Sequence, residues 1–75
     1  MKNERYGIIL VYSTSHAIKG ERVLKKAEIP NKLIPVPRHI SSDCGSCLRV
    51  DLDNLERSKD LLEAAQVGVD GTHEI

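Results

Sequence analysis

Lys32-Leu33-Ile34-Pro35-Val36-Pro37 reads as extended chain, and its two prolines decide what kind of strand it is. Proline has no N–H to give to a ladder. Peptide groups alternate in direction along a strand, so prolines two residues apart withhold their donors from one and the same side. That side cannot pair, and the segment belongs at the edge of a sheet with its other side facing the neighbouring strand.

Toward the N-terminus, Pro30 pushes the preceding residue out of the helical region and so marks the end of a helix. Ala17, Gly20, Leu24 and Ala27, with Val23 beside them, recur at helical spacing, and Ser13-Thr14-Ser15 offers candidate N-caps. The spacing predicts a helix from about His16 to Ala27. Before it, Tyr6-Gly7-Ile8-Ile9-Leu10-Val11-Tyr12 is a continuous apolar run rich in β-branched residues, as expected of a strand covered on both faces.

Toward the C-terminus, Arg38 to Ser46 reads as a polar loop. Leu48, Val50 and Leu52 then alternate with Arg49 and Asp51, which predicts a third strand with one buried and one wetter face. Asp53 with Glu56 resembles a capping box, and Leu55, Leu62 and Ala65, flanked by Leu61, mark one face of a second helix. Glu56-Arg57-Ser58-Lys59-Asp60 reads as its solvated face, and Gly68 as the glycine that ends it. Val69 to Ile75 alternates loosely and is expected to form a short fourth strand. The order β-α-β-β-α-β predicts an α+β, ferredoxin-like sandwich, with two helices on one face of a four-stranded antiparallel sheet. Its second strand lies at an edge, as the prolines demand.

Seventy-five residues with 40% apolar content make one domain, 1–75, with a core of Leu, Ile, Val and Ala. This is close to the size at which folding alone is marginal, so help from a partner or a homodimer is an expectation. Eleven basic and eleven acidic side chains cancel, leaving no field to draw the chain onto nucleic acid or an anionic membrane. The apolar run after the charged N-terminus is far shorter than the roughly 20 residues needed to cross a bilayer, and no signal-peptide cleavage pattern follows it. A cytoplasmic location is expected.

Chemistry concentrates in Cys44-Gly45-Ser46-Cys47. Two cysteines are too few for a secreted disulfide framework, and a close pair in a reducing compartment is a metal half-site or a reactive thiol pair. Gly45 gives the backbone freedom to turn. Arg38, His39 and Arg49 can gather positive charge near a thiolate, while Asp43 opposes it. Four readings follow. Both cysteines pack as small apolar groups. They exchange disulfides, although a thioredoxin-like motif would open a helix and a strand follows here. They bind zinc or iron, for which only His16, His39 and His73 are at hand, without a second close ligand pair. Or Cys44 carries a transferable chalcogen.

Ile34-Pro35-Val36-Pro37-Arg38-His39-Ile40-Ser41-Ser42-Asp43-Cys44-Gly45, together with Ser13-Thr14-Ser15-His16-Ala17 and Leu48-Arg49-Val50, resembles the small bacterial family called putative selenium/sulfur carrier-like proteins. The similarity covers nearly the whole chain. Its most specific part is Pro-Val-Pro-Arg leading through Ser-Ser into Cys-Gly, and it carries over to Arg38, Ser41, Ser42, Cys44 and Gly45. The resemblance implies sulfur or selenium transfer in selenium metabolism, with Cys44 holding a persulfide or selenosulfide; Cys47, which lies outside the matched pattern, would act as a resolving thiol. Whether this counts as catalysis is left open. No cofactor is implied. The partner would be a sulfur- or selenium-donor protein or a sulfur-carrier protein, since the separate carrier domain is not part of this chain.

His16 would orient the substrate or pass a proton, or simply cap the helix entry, and Ser13 to Ser15 would hold an anion or cap. Ser41 and Ser42 would donate to a thiolate or shape a turn, and Arg38 with His39 would stabilise its charge. The competing function is a binding or regulatory module without covalent chemistry.

Overall fold

A computed structural model describes residues 5–40 and 45–75. Strand β1 (Tyr6–Val11) leads into helix α1 (Thr14–Lys26), then β2 (Asn31–Pro35), β3 (Ser46–Asp51), a 3₁₀ turn (Leu52–Asn54), helix α2 (Leu55–Ala64) and β4 (Val69–Glu74). The sheet order is β2-β3-β1-β4, and every pairing is antiparallel. This is the ferredoxin-like arrangement. The Val36 N–H donates to the Gly45 carbonyl at 3.2 Å, so even-numbered residues of this stretch turn their peptide groups toward β3 and Pro35 and Pro37 turn theirs outward. The strand itself is shorter than the apolar run, because Val36 and Pro37 continue beyond the ladder.

The helices cover one face. Ile9 and Val11 of β1 and Leu48 and Val50 of β3 meet Ala17, Leu24 and Leu62 in the main core. Gly20 allows the close approach of α1: a Cβ there would come within 2.8 Å of Leu48 Cδ1 and 3.2 Å of Leu62 Cδ2. Ile8 and Leu10 project from the other face into a smaller cluster with Ile40 and Cys47, against which Ile34 and Val36 pack. The chain after β2 thus folds back over the sheet, and β1 is covered on both faces as its sequence demands.

Four local expectations are corrected. Helix α1 starts at Thr14, two residues earlier than expected, because Ser13 takes the N-cap and its Oγ accepts the His16 N–H at 3.3 Å. The capping box at Asp53 and Glu56 does not form: the 3₁₀ turn intervenes, α2 begins at Leu55, and Asn54 caps it without a side-chain hydrogen bond. Ser58 is not on the solvated face but fully buried, its Oγ without a partner among the described residues. It stands between Leu55 and Leu62 at helical spacing and follows them into the core, where an unpaired hydroxyl costs about 1–3 kcal/mol.

Gly68 does not end α2. The left-handed position belongs to Gln66 (φ 62°), as it belongs to Glu28 (φ 60°) after α1. At both ends the same pair of bonds closes the helix: Glu28 N–H to Lys25 O and Ile29 N–H to Leu24 O, then Gln66 N–H to Glu63 O and Val67 N–H to Leu62 O. The residues that follow, Ile29 and Val67, are buried, which supplies the apolar contact of a Schellman motif. A side chain at positive φ carries a steric penalty that glycine avoids. Gln66→Gly is expected to raise the unfolding free energy by about 0.5–1 kcal/mol, measured by urea denaturation; a loss of stability would show that the Gln66 side chain contributes more than its backbone costs.

Candidate functional site

Three strand ends meet at one end of the sheet. Leu10 near the end of β1 faces Cys47 at the start of β3, Ile34 of β2 faces Cys47 from the other side, and Pro35 faces Ser46. The loop between β2 and β3 therefore leaves and returns where β1 gives way to α1. This brings Tyr12, Ser13 and His16 to the same end of the molecule as the loop.

The entry into α1 is held by short-range bonds. Ser13 Oγ and His16 Nδ1 are 2.7 Å apart, and the same oxygen accepts the His16 backbone N–H. The half-buried imidazole is thereby fixed in orientation, and Tyr12 meets it edge-to-face, with ring centroids 6.5 Å apart and planes at 77°. Tyr12 is 63% exposed and lies on Gly68, where a Cβ would come within 2.5 Å of its ring and 3.6 Å of His16 Nε2. Gly68 is thus a seat for an aromatic ring. Tyr12 was read from sequence only as the last residue of an apolar run, and its exposure at a strand's end carried no signal of its own.

On the loop, Ile40 N–H donates to Pro37 O at 3.0 Å. Arg38 and His39 occupy the middle of this turn and are exposed, while Ile40 is buried. Ser41, Ser42 and Cys44, three of the expected site residues, lie outside the described residues, as does Asp43. Gly45 is exposed, and a Cβ there would meet nothing within 4 Å among the described residues.

Cys47 departs most from expectation. It is not in the loop: β3 starts at Ser46, two residues before the expected strand, and Cys47 is the strand's second residue, with no exposed surface. Its Sγ lies 3.9 Å from the Pro35 carbonyl oxygen, where the thiol donates a weak hydrogen bond. Ile8, Leu10 and Ile40 share its cluster. An attacking thiolate needs access, and this position lacks it; the resolving role would require the strand to open.

His39 is on the exposed turn, His16 at the helix entry, and His73 opposite Ile8 on β4. Among the described residues no three of His, Cys, Asp or Glu converge as metal ligands, and no helix is long and apolar enough to cross a membrane.

Searches of the curated proteins and of the solved structures found no match to this chain. The family model described as "putative Se/S carrier protein-like" matches residues 6–74, from the first residue of β1 to the last of β4, and the chain belongs to that family.

Proposed function

We propose that the chain accepts and passes on a sulfur or selenium atom at Cys44. The observation that carries this reading is the family match across the whole fold; the full burial of Cys47 supports a mechanism with one reacting thiol. In the loading step the Cys44 thiolate attacks the terminal sulfur or selenium of a donor protein's persulfide or selenosulfide. A new bond to Cys44 forms, the donor's bond to that atom breaks, and the donor cysteine leaves as thiolate. Release reverses the roles: an acceptor's nucleophile attacks the outer atom and the Cys44 thiolate departs.

The neighbours have separate tasks. Arg38 and His39, exposed on the Pro37–Ile40 turn, balance the anionic cargo, and Ser41 and Ser42 donate hydrogen bonds to it. Gly45, the next residue in the chain, adds no side chain of its own. His16, fixed by Ser13, orients the incoming group. Such a carrier works in the cytoplasm, where thiols stay reduced, and its partners are the donor and acceptor proteins.

Intact mass spectrometry tests this after incubation with a cysteine desulfurase and cysteine, or a selenocysteine lyase and selenocysteine. The wild type and Cys47→Ala are expected to gain one chalcogen atom, and Cys44→Ser none. A wild-type chain that gains nothing from either enzyme overturns the reading.

A further inference from the structure

Lys32 of β2 and Arg49 of β3 are direct register partners, and Arg49 faces Ile8 of β1 in turn. Their side chains share the helix-free face with Cys47, which stands two residues or about 7 Å before Arg49 on β3. Two like charges directly opposite each other destabilise a ladder. Nothing in a chain of balanced charge requires them there, and neither has a carboxylate within 4.0 Å among the described residues.

Arg49 is also held in place. Its guanidinium carbon lies 4.3 Å from the centroid of the Tyr6 ring, a cation–π contact that occupies the planar face and leaves the N–H edges available for a bidentate partner. Beside them is a recess of about 390 Å³, lined by Tyr6, Lys32 and Arg49 and by Asn31 and Asp51. Asn31 donates its Nδ2–H to the Ile29 carbonyl at 3.0 Å, and its Oδ1 is buried with no donor among the described residues. The recess is thus lined by two cations with no carboxylate at ion-pair distance among the described residues, by the Asp51 carboxylate and by Asn31, whose buried Oδ1 still lacks a donor.

We propose that this recess binds a small oxyanion that itself carries a hydrogen-bond donor, with Lys32 and Arg49 taking the oxyanion and Asp51 and Asn31 taking the donor. The volume is at the small end of ligand pockets. A phosphate group with a hydroxyl and an amino acid with its ammonium both present this chemistry. The proposal stands whether or not a chalcogen is carried.

The test is an NMR titration of the full chain at constant ionic strength, with inorganic phosphate in one arm and glycine in the other. Saturable shifts confined to residues 31–32, 49–51 and Tyr6 are expected in at least one arm, and the responding arm identifies the source of the oxyanion. Arg49→Gln should weaken that binding about tenfold or more. A thermal scan gives an independent readout. With the repulsion relieved, Lys32→Gln should melt about 2–4 °C above wild type without ligand, and that gain should vanish at saturating ligand. Absence of saturable shifts in both arms, or shifts unchanged by Arg49→Gln, overturns the proposal.

Discussion

Leu48→Ala is expected to lower the free energy of unfolding by about 3 kcal/mol, within the range for deleting a buried leucine side chain. Leu48 has no exposed surface and stands on β3 between Ile9 of β1 and Leu33 of β2. Its Cδ1 reaches to within 2.8 Å of where a Cβ on Gly20 would be, so it fills the space left by the glycine of α1. A domain of this length has about 4–11 kcal/mol in hand, so the loss is a large fraction of the total. Because Gly20 lines the resulting cavity, a methyl group added there should recover part of it. Gly20→Ala alone brings a contact too close for the packed leucine, offsetting the helix propensity gained, whereas in the Leu48→Ala background the same methyl enters empty space. A double-mutant cycle by urea denaturation should show coupling of about 1 kcal/mol or more between the two positions. A cost below about 1 kcal/mol for Leu48→Ala would mean that the core can collapse around the missing atoms.

The edge position of β2 was legible because it follows from covalent chemistry: a missing N–H acts the same way in any fold. Strand β1 was legible for a similar reason, since an unbroken run of apolar residues from Tyr6 to Val11 has to be covered on both faces wherever it lies. The start of β3 was not. Alternation of Leu48 and Val50 identifies the helix-facing side, but whether Cys47 is buried depends on Val36 and Ile40 folding back over the opposite face, a tertiary event with no local signal. Ser58 reads as solvated from its polar character, but its spacing between Leu55 and Leu62 carries it into the core. The end of α2 is not legible because Gln66 accepts a conformation that favours glycine, and Gly68, the obvious glycine, serves the Tyr12 ring instead. For the candidate site, the sequence placed the loop and the helix entry as separate features. Their meeting at one end of the sheet comes from the register of β1, β2 and β3.

Cys47 separates a packed thiol from a working one, and two substitutions with opposite expectations resolve it. Cys47→Ala removes one sulfur atom from an apolar cluster and should cost about 1 kcal/mol, leaving a folded chain whose loading at Cys44 is unchanged. Cys47→Asp places a carboxylate among Ile8, Leu10 and Ile40, where the Pro35 carbonyl, itself an acceptor, is within reach of the side chain. An uncompensated charge in such a place costs about 3–5 kcal/mol, a large share of the roughly 4–11 kcal/mol available to a domain of this length, so this variant should unfold at a much lower urea concentration than wild type when followed by circular dichroism. Reactivity follows the same logic. In Cys44→Ser the remaining thiol can meet iodoacetamide only when the end of β3 opens, and opening against even about 3 kcal/mol slows alkylation about a hundredfold relative to the same variant in denaturing urea. Rapid labelling in the folded chain would mean that this end of the strand opens readily, and would return Cys47 to the list of thiols able to resolve a persulfide on Cys44.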